Sequence, residues 1–358
     1  MRKIILLRLI CPALALLWLA PAAAGEYFDS YDISPDSRRI DIGIQPMAYP
    51  LAFTSAVMQR DQILAASLAA SGHELKTHPF RKGNEQVALV GGGQLEVAFL
   101  GDMPTINTAV RTPIAIAALG KKNFSSVVAR EAGRIEQLRG KRIGYSAGSS
   151  SHYVLLQGLK SADMSEQDVV LVALEPSSMP DALESGQVDA FSGWEPTPSI
   201  SLARNPKNRA IYRGMSTDWI VFSRDFVQQQ PQQALMILAS YVRAINWMRA
   251  NPANLRKAAA WVIQDGQAFL GKAPPVTSEQ AMSIARKDLL DVAGAPAFPA
   301  KIEGVPILSR EFDFLKQQGK IPGNAPEDSI RSAFAYDGLR TIQAAPKRYR
   351  IYDYEYRP

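Results

Sequence analysis

Short apolar runs of strand length alternate with stretches of helical spacing over most of this chain. Ile40-Asp41-Ile42-Gly43-Ile44 alternates as a first strand, and a loop with two prolines follows at 45–50. Mixed apolar residues predict a helix over 51–70, stopped by Ser71-Gly72. A second strand is predicted over 74–80. Residues 81–84 turn into a helix that ends at Gly91-Gly92-Gly93. The apolar run 97–100 reads as a third strand. Gly101-Asp102-Met103-Pro104 follows it, with the proline placed for a helix start, then a helix over 105–110 and a strand over 114–119. This alternation predicts an α/β fold with an open parallel sheet and helices on both faces.

The pattern changes at 120–126, which reads as a crossing point, and a second α/β unit begins at 127. It holds a glycine-flanked strand at 140–145, a Ser/Gly loop at 146–152 and a helix from Tyr153. A strand at 169–174, a turn at Pro176, a short helix and a strand at 186–191 complete it, before Trp194-Glu195-Pro196. Residues 196–206 read as loop. Residues 211–219 return toward the first unit, and 219–223 form a strand. Beyond 225 the spacing is helical: a helix from Pro231 to before Asn251-Pro252, another carrying Leu255, Ala259 and Val262, a third over 279–290 and a fourth over 309–317. The Tyr/Arg-rich end, 346–358, has no period and either packs along the surface or stays loose. The expected division is a targeting segment at 1–24 and a leader at 25–39. A first lobe with the C-terminal helices takes 40–120 and 214–345, a second lobe at 121–213 is inserted in it, and 346–358 is a tail.

At 358 residues the chain is long enough for two domains, and 47% hydrophobic content excludes disorder as its theme. Of the formal net charge of +6, three charges sit at Arg2, Lys3 and Arg8, so the rest carries a weak excess. No basic run of nucleic-acid type is present, which sets nucleic acid aside. The charged start, the apolar stretch 4–19 and Ala22-Ala23-Ala24 predict a signal peptide cleaved near Ala24 and export to the periplasm. The single cysteine, Cys11, falls within it, so the mature chain is expected to have no disulfide, thiolate nucleophile or cysteine metal site. His73 and His78 lie on a strand of the other lobe from His152, so no metal or other cofactor is expected.

In open sheets of this kind ligands bind beyond the carboxyl ends of the strands. That rule selects the loops 45–50, 81–84, 101–104, 146–152 and 192–196, which would converge on one cleft. Ser149, Ser150 and Ser151 either cap the helix that follows or donate to an anion held at its positive end. His152 either packs there or joins them. Asp102 and Thr105 stand at a helix start, as caps or as contacts. Trp194 at a strand end offers a flat apolar face and an N–H. Arg81 and Lys82 would attract an anion, the arginine bidentately. Gln45 and Tyr49 come from the first loop. Glu195 is out of place beside an anion and points either to an arginine partner or to an amino group on the ligand. The Ser/Gly loop lacks the Lys-Ser/Thr of a nucleotide loop.

Gly140-Lys-Arg-Ile-Gly, Gly148-Ser-Ser-Ser-His152, the run from Ala182 to Ala190 and Trp194-Glu-Pro196, with Gly101-Asp-Met-Pro104, resemble the periplasmic substrate-binding proteins of the sulfonate/nitrate/taurine ABC importers and the related thiamine-precursor binders. The likeness covers about residues 40 to 320, with the aliphatic-sulfonate binders closest. It implies a two-lobe, type II periplasmic-binding-protein fold with a helical C-terminal region. It also implies a receptor, not an enzyme, which closes about hinges at 119–126 and 211–218 on a small oxyanion-bearing solute, an aliphatic or aromatic sulfonate first, with a thiamine-precursor-type or nitrate-type ligand as the alternative. The expected partners are that ligand and an ABC permease with its ATPase. The membrane would be met only through the permease, and the chain would act as a monomer. Relatives carry Trp-Asp-Pro where this chain has Trp194-Glu195-Pro196. Two further readings stay open: a periplasmic sensor that transports nothing, and a hydrolase using the adjacent serines and His152. Adjacency at a helix start does not make a triad. The thiamine-pyrimidine synthases that share the fold rely on a Cys-rich motif this chain lacks.

Overall fold

The computed structural model describes residues 26–33, 38–290, 307–326 and 328–357. The expected signal segment at 1–24, Cys11 included, lies outside them. The chain divides into a short unit ending at Asp32 and a large unit from Ile33 onward. Of the short unit, one 3-10 turn at Tyr27–Ser30 is described, with the Tyr27 ring edge-on to Phe28 and Tyr31.

The large unit starts with β1 (Arg39–Ile44), α1 (Leu51–Met58), α2 (Gln62–Ala70), β2 (Glu74–Pro79) and α3 (Val87–Gly91). It continues through β3 (Val97–Gly101), α4 (Asp102–Ala109), β4 (Ile114–Ala129), β5 (Arg142–Tyr145) and α5 (Ser150–Ser161). Next come β6 (Val170–Ala173), α6 (Met179–Glu184), β7 (Ala190–Gly193), α7 (Thr197–Arg204) and β8 (Arg209–Ser223). Helices complete it: α8 (Arg224–Gln229), α9 (Pro231–Ala250), α10 (Pro252–Leu270), α11 (Ser278–Ala285), α12 (Ile307–Gln317), α13 (Asp328–Arg331) and α14 (Asp337–Ala344). A π-helical turn at Arg286–Leu290 follows α11.

The strands form one eight-stranded sheet in the order β2-β1-β3-β8-β4-β7-β5-β6. Its ends are parallel, as expected: β1 pairs with β2 and β3, and β5 with β6 and β7. Its centre is not. β4 and β8 are 16 and 15 residues long and run antiparallel to each other, β8 antiparallel to β3 and β4 antiparallel to β7. The expected crossing at 120–126 is therefore the middle of one continuous strand. Register shifts at Leu119/Lys121 and Val127/Val128 bend the ribbon there. Residues 196–206, expected as loop, are mostly α7, which Pro198 in its first turn starts.

Apolar side chains gather in separate clusters. One joins β1, β3 and the outer parts of β4 and β8 to α1, α2, α9, α10 and α14, around Phe53, Phe99, Phe222 and Tyr241. Two others lie in residues 127–191, around Leu155 and around Phe191. The expected helix 51–70 is two helices. α1 is buried all round, and the side chain of Asp61 accepts from the Ile63 and Leu64 N–H groups to start α2. The Asp61 carboxylate also pairs with Arg243, 2.8 Å away, both buried. The tail is packed, not loose. Arg243 donates to the carbonyls of Tyr349 and Arg350, and the Tyr356 ring lies 4.7 Å from that of Trp247.

Candidate functional site

All five strand-end loops reach one small cavity. Gln45 and Ala48 come from the first, Gly83 from the second, Gly101 and Pro104 from the third, Ser149 and Ser150 from the fourth and Trp194 from the fifth. Two further lining residues are Lys121 of β4 and Asp218 of β8. They face each other across the ribbon, and Lys121 Nζ stands 3.3 Å from the Asp218 carboxylate. The cavity measures about 20 Å³, room for one water. A groove of about 410 Å³ near Arg111, Arg224 and Ser329 is larger, but none of the five loops reaches it.

The donors are arranged for an anion. Lys121 is 1% exposed, and its ammonium has one hydrogen-bonding partner, Asp218, among the described residues. Trp194 is 6% exposed, and its indole N–H has no hydrogen-bond partner among them. Ser149 caps α5 by accepting from the His152 N–H, which leaves the positive end of a twelve-residue helix at the cavity wall. Gln45 is held by donating to the Phe99 carbonyl at 2.6 Å. Gly101 lets Ser150 approach closely: a Cβ there would overlap Ser150 Oγ and stand 3.3 Å from an Asp218 oxygen.

Carboxylates surround this donor set. Asp102 is fully buried and accepts from the Met103 and Thr217 N–H groups and from Ser150. Burial, with the nearby Asp218 charge adding to it, pushes its carboxyl up to about 6. Burial also raises Asp218, against the pull of Lys121. Glu195 is raised by burial and by the charge of Asp288, with Ser199 and Lys121 working the other way. Glu311 of α12, 2% exposed, faces Asp102 and is raised well above the usual carboxylate range by burial.

The remaining candidates sit outside the cavity lining. Tyr49 belongs to the main apolar core, edge-on to Phe53, its hydroxyl without a partner among the described residues. Thr105 donates to the Gly101 carbonyl and serves the helix start. Ser151 bonds Ser149, and its carbonyl accepts from Ser192. The Gly148 N–H donates to Nδ1 of His152, which leaves Nε2 to donate to Glu166 at 2.8 Å. Among the described residues that imidazole meets no serine hydroxyl. Arg81 is exposed. Lys82 pairs with Glu175 across the cleft mouth at 3.0 Å. Lys121 and Asp218, which line the cavity, were not among the candidates. Both stand in runs of mostly apolar and small residues, and a charged side chain within such a run was the signal for them.

The family model described as NMT1-like family matches residues 37–263. The putative aliphatic sulfonates-binding protein of Bacillus subtilis is 25% identical over 59% of this chain and 66% of its own length, just under two thirds. The taurine-binding periplasmic protein of Escherichia coli is 24% identical over 81% of this chain and 90% of its own length. Among solved structures, the alkanesulfonate-binding protein of Xanthomonas axonopodis pv. citri, bound to MOPS, has a TM-score of 0.64 at 17% identity, covering 84% of this chain and 98% of that one. At that identity the likeness carries the fold, which is that of the sulfonate-binding proteins.

Proposed function

Because the chain belongs to the NMT1-like family, we propose that it is a periplasmic solute-binding receptor which closes on a small oxyanion, a sulfonate first of all, and hands it to an ABC permease. The observation that carries this is the cavity itself: five loops, Lys121, Trp194 and the start of α5 meet at one buried point. A single-water volume cannot admit a sulfonate, so the halves part for entry. We take residues 40–120 and 214–345 as one lobe and 121–213 as the other. The bent middle of the β4–β8 ribbon is the hinge, since those two strands alone run through both halves of the sheet. Contacts across the cleft fit a closed state: Lys82 with Glu175, Asn84 with the Ala147 carbonyl, Phe314 on Tyr153 and Lys320 with Glu166. Taurine and sulfonate binding by the relatives agree with this reading, as does the export segment expected at 1–24. The receptor acts as a monomer and carries out no chemistry on its ligand.

The test is a thermal-shift panel on the mature chain with alkanesulfonates, taurine, nitrate, bicarbonate, aromatic acids and a thiamine-precursor pyrimidine. A ligand at about a hundred times its Kd stabilises by roughly 2.7 kcal/mol, a readable rise in melting temperature. We expect a sulfonate to give that rise, and Trp194→Ala with Ser150→Ala to weaken it by tenfold or more. No response to any oxyanion in the panel would refute the reading.

A further inference from the structure

The turn that delivers α5 to the cavity is held from behind by one imidazole. Gly148 has a φ of 71°, in the left-handed region, and Ser149 and Ser150, which follow it, line the cavity. His152, 5% exposed, grips this turn twice. Its backbone N–H donates to Ser149 Oγ, and its Nδ1 accepts from the Gly148 N–H at 3.2 Å. A backbone N–H can only donate, so Nδ1 carries no proton and the ring hydrogen is on Nε2, 2.8 Å from Glu166. Lys320, just beyond α12, pairs with the other oxygen of that carboxylate. The Tyr145 ring of β5 stands edge-on to the imidazole at 4.9 Å. The turn also reaches across the cleft, where Asn84 donates to the Ala147 carbonyl at 3.0 Å.

This place suits a neutral ring. Protonation would put a hydrogen on Nδ1, and two N–H groups would then face each other with no acceptor between them. It would also set a positive charge at the positive end of α5. Glu166, held down to about 2 by its bonds to His152 and Lys320, is ionised at neutral pH and accepts equally from a neutral or a charged ring. The Nε2 side therefore survives protonation, and the Nδ1 side does not. Resting on the receptor reading above, we infer that His152 is a positioning residue for ligand binding: its neutral ring fixes the Gly148–Ser150 turn at the cavity, and protonation frees the turn and weakens binding. Affinity then falls in acid, across the range of about pH 8 to 5 in which imidazoles titrate. The carboxylates at this end of α5 act in the opposite sense. Asp102, bonded to Ser150, and Asp218, paired with Lys121, are both raised by burial. Acid protonates them and removes negative charge from beside a bound anion. A loss of affinity in acid is thus the signature of His152.

The experiment is calorimetric titration with ethanesulfonate, propanesulfonate and butanesulfonate, strong-acid anions that do not titrate between about pH 8 and 5. We expect the native chain to lose at least fivefold in affinity from the upper to the lower pH. In His152→Asn an amide oxygen replaces Nδ1 as acceptor and does not titrate, so affinity is level or rises in acid. In His152→Gln the longer side chain carries its amide past the turn toward Glu166, and affinity at the upper pH is at least fivefold below that of His152→Asn. If the variants do not fold, the native chain decides by nitrogen NMR: the His152 ring should show the Nε2–H tautomer at the upper pH, and the Gly148 amide signal should move with the same midpoint as the affinity. An affinity that does not fall in acid in the native chain, the same fall in His152→Asn, or equal binding by the two variants would overturn this inference and leave the receptor reading standing. If the native chain binds none of the three sulfonates at either pH, both fall.

Discussion

At the scale of single residues, the site is a contest between one ammonium and several carboxylates. Asp102 shows its cost most clearly. Burial raises its folded pKa to about 6 from an ordinary value near 4, making it a weaker acid. The folded chain therefore holds this proton more tightly than the unfolded chain. Stability from this group is highest at or below pH 4, falls as pH rises to about 6, and stays low above. Two pH units correspond to roughly 3 kcal/mol for a group this buried. We predict that the loss in unfolding free energy between pH 4.5 and 7 is greater in the native chain than in Asp102→Asn by up to that amount. Parallel pH profiles for the two proteins would dismiss the assignment. Glu166 has the opposite sign: His152 and Lys320 lower it to about 2, so its contribution is present above the usual range and is lost in acid.

Which individual side chains enter the cavity was legible in part. Trp194, Ser149, Ser150 and Gln45 stand at strand ends, where chemistry and position point the same way. Tyr49 and Thr105 occupy the same loops but turn into the core and onto a helix carbonyl. A linear sequence does not say which way a loop side chain turns. Lys121 and Asp218 escaped because they lie within strands, where search by loop does not look.

At the scale of elements, the apolar periods located most strands and helices, and the misses share a cause. The break between α1 and α2 is made by Asp61, one carboxylate inside an otherwise helical run. It was hidden because the same residue also pairs with Arg243, from a helix almost two hundred positions away. The tail had no period because it folds by contacts with other elements. Arg243 and Asn246 hold its carbonyls, and the Gln62 N–H and Arg60 carbonyl pair with it at Glu355 and Arg357. Its Tyr356 ring covers Trp247 and Trp261. Removing residues 346–358 exposes two tryptophans and strips a buried arginine of two acceptors. We predict a loss of roughly 3–5 kcal/mol, the range for disrupting a buried charged network, read as a melting temperature lower by several degrees. Because none of these residues lines the cavity, a truncated chain that stays folded should keep its ligand affinity within about twofold. A tail removable without change in melting temperature would mean that these contacts hold nothing.

At the scale of the molecule, the alternation of strand and helix correctly implied an α/β sheet. It did not show that the centre runs antiparallel. Parallel and antiparallel strands carry the same local signal when buried on both faces, and pairing direction is set by connections far apart in sequence. That antiparallel ribbon is what makes closure possible in this account, because the two halves share little else of the sheet. Closure in turn depends on how near the facing loops can come. Gly101 of the first half meets Ser150 of the second with no room for a methyl group. The backbone at Gly101 is ordinary extended chain, so alanine is acceptable there until the halves meet. Calorimetric titration of Gly101→Ala with the sulfonate that most stabilises the native chain therefore tests the central claim most directly. We expect a melting temperature close to native without ligand and an affinity at least tenfold weaker, because the added carbon holds the cleft open. Native affinity in that variant would contradict a site formed by closure between these loops.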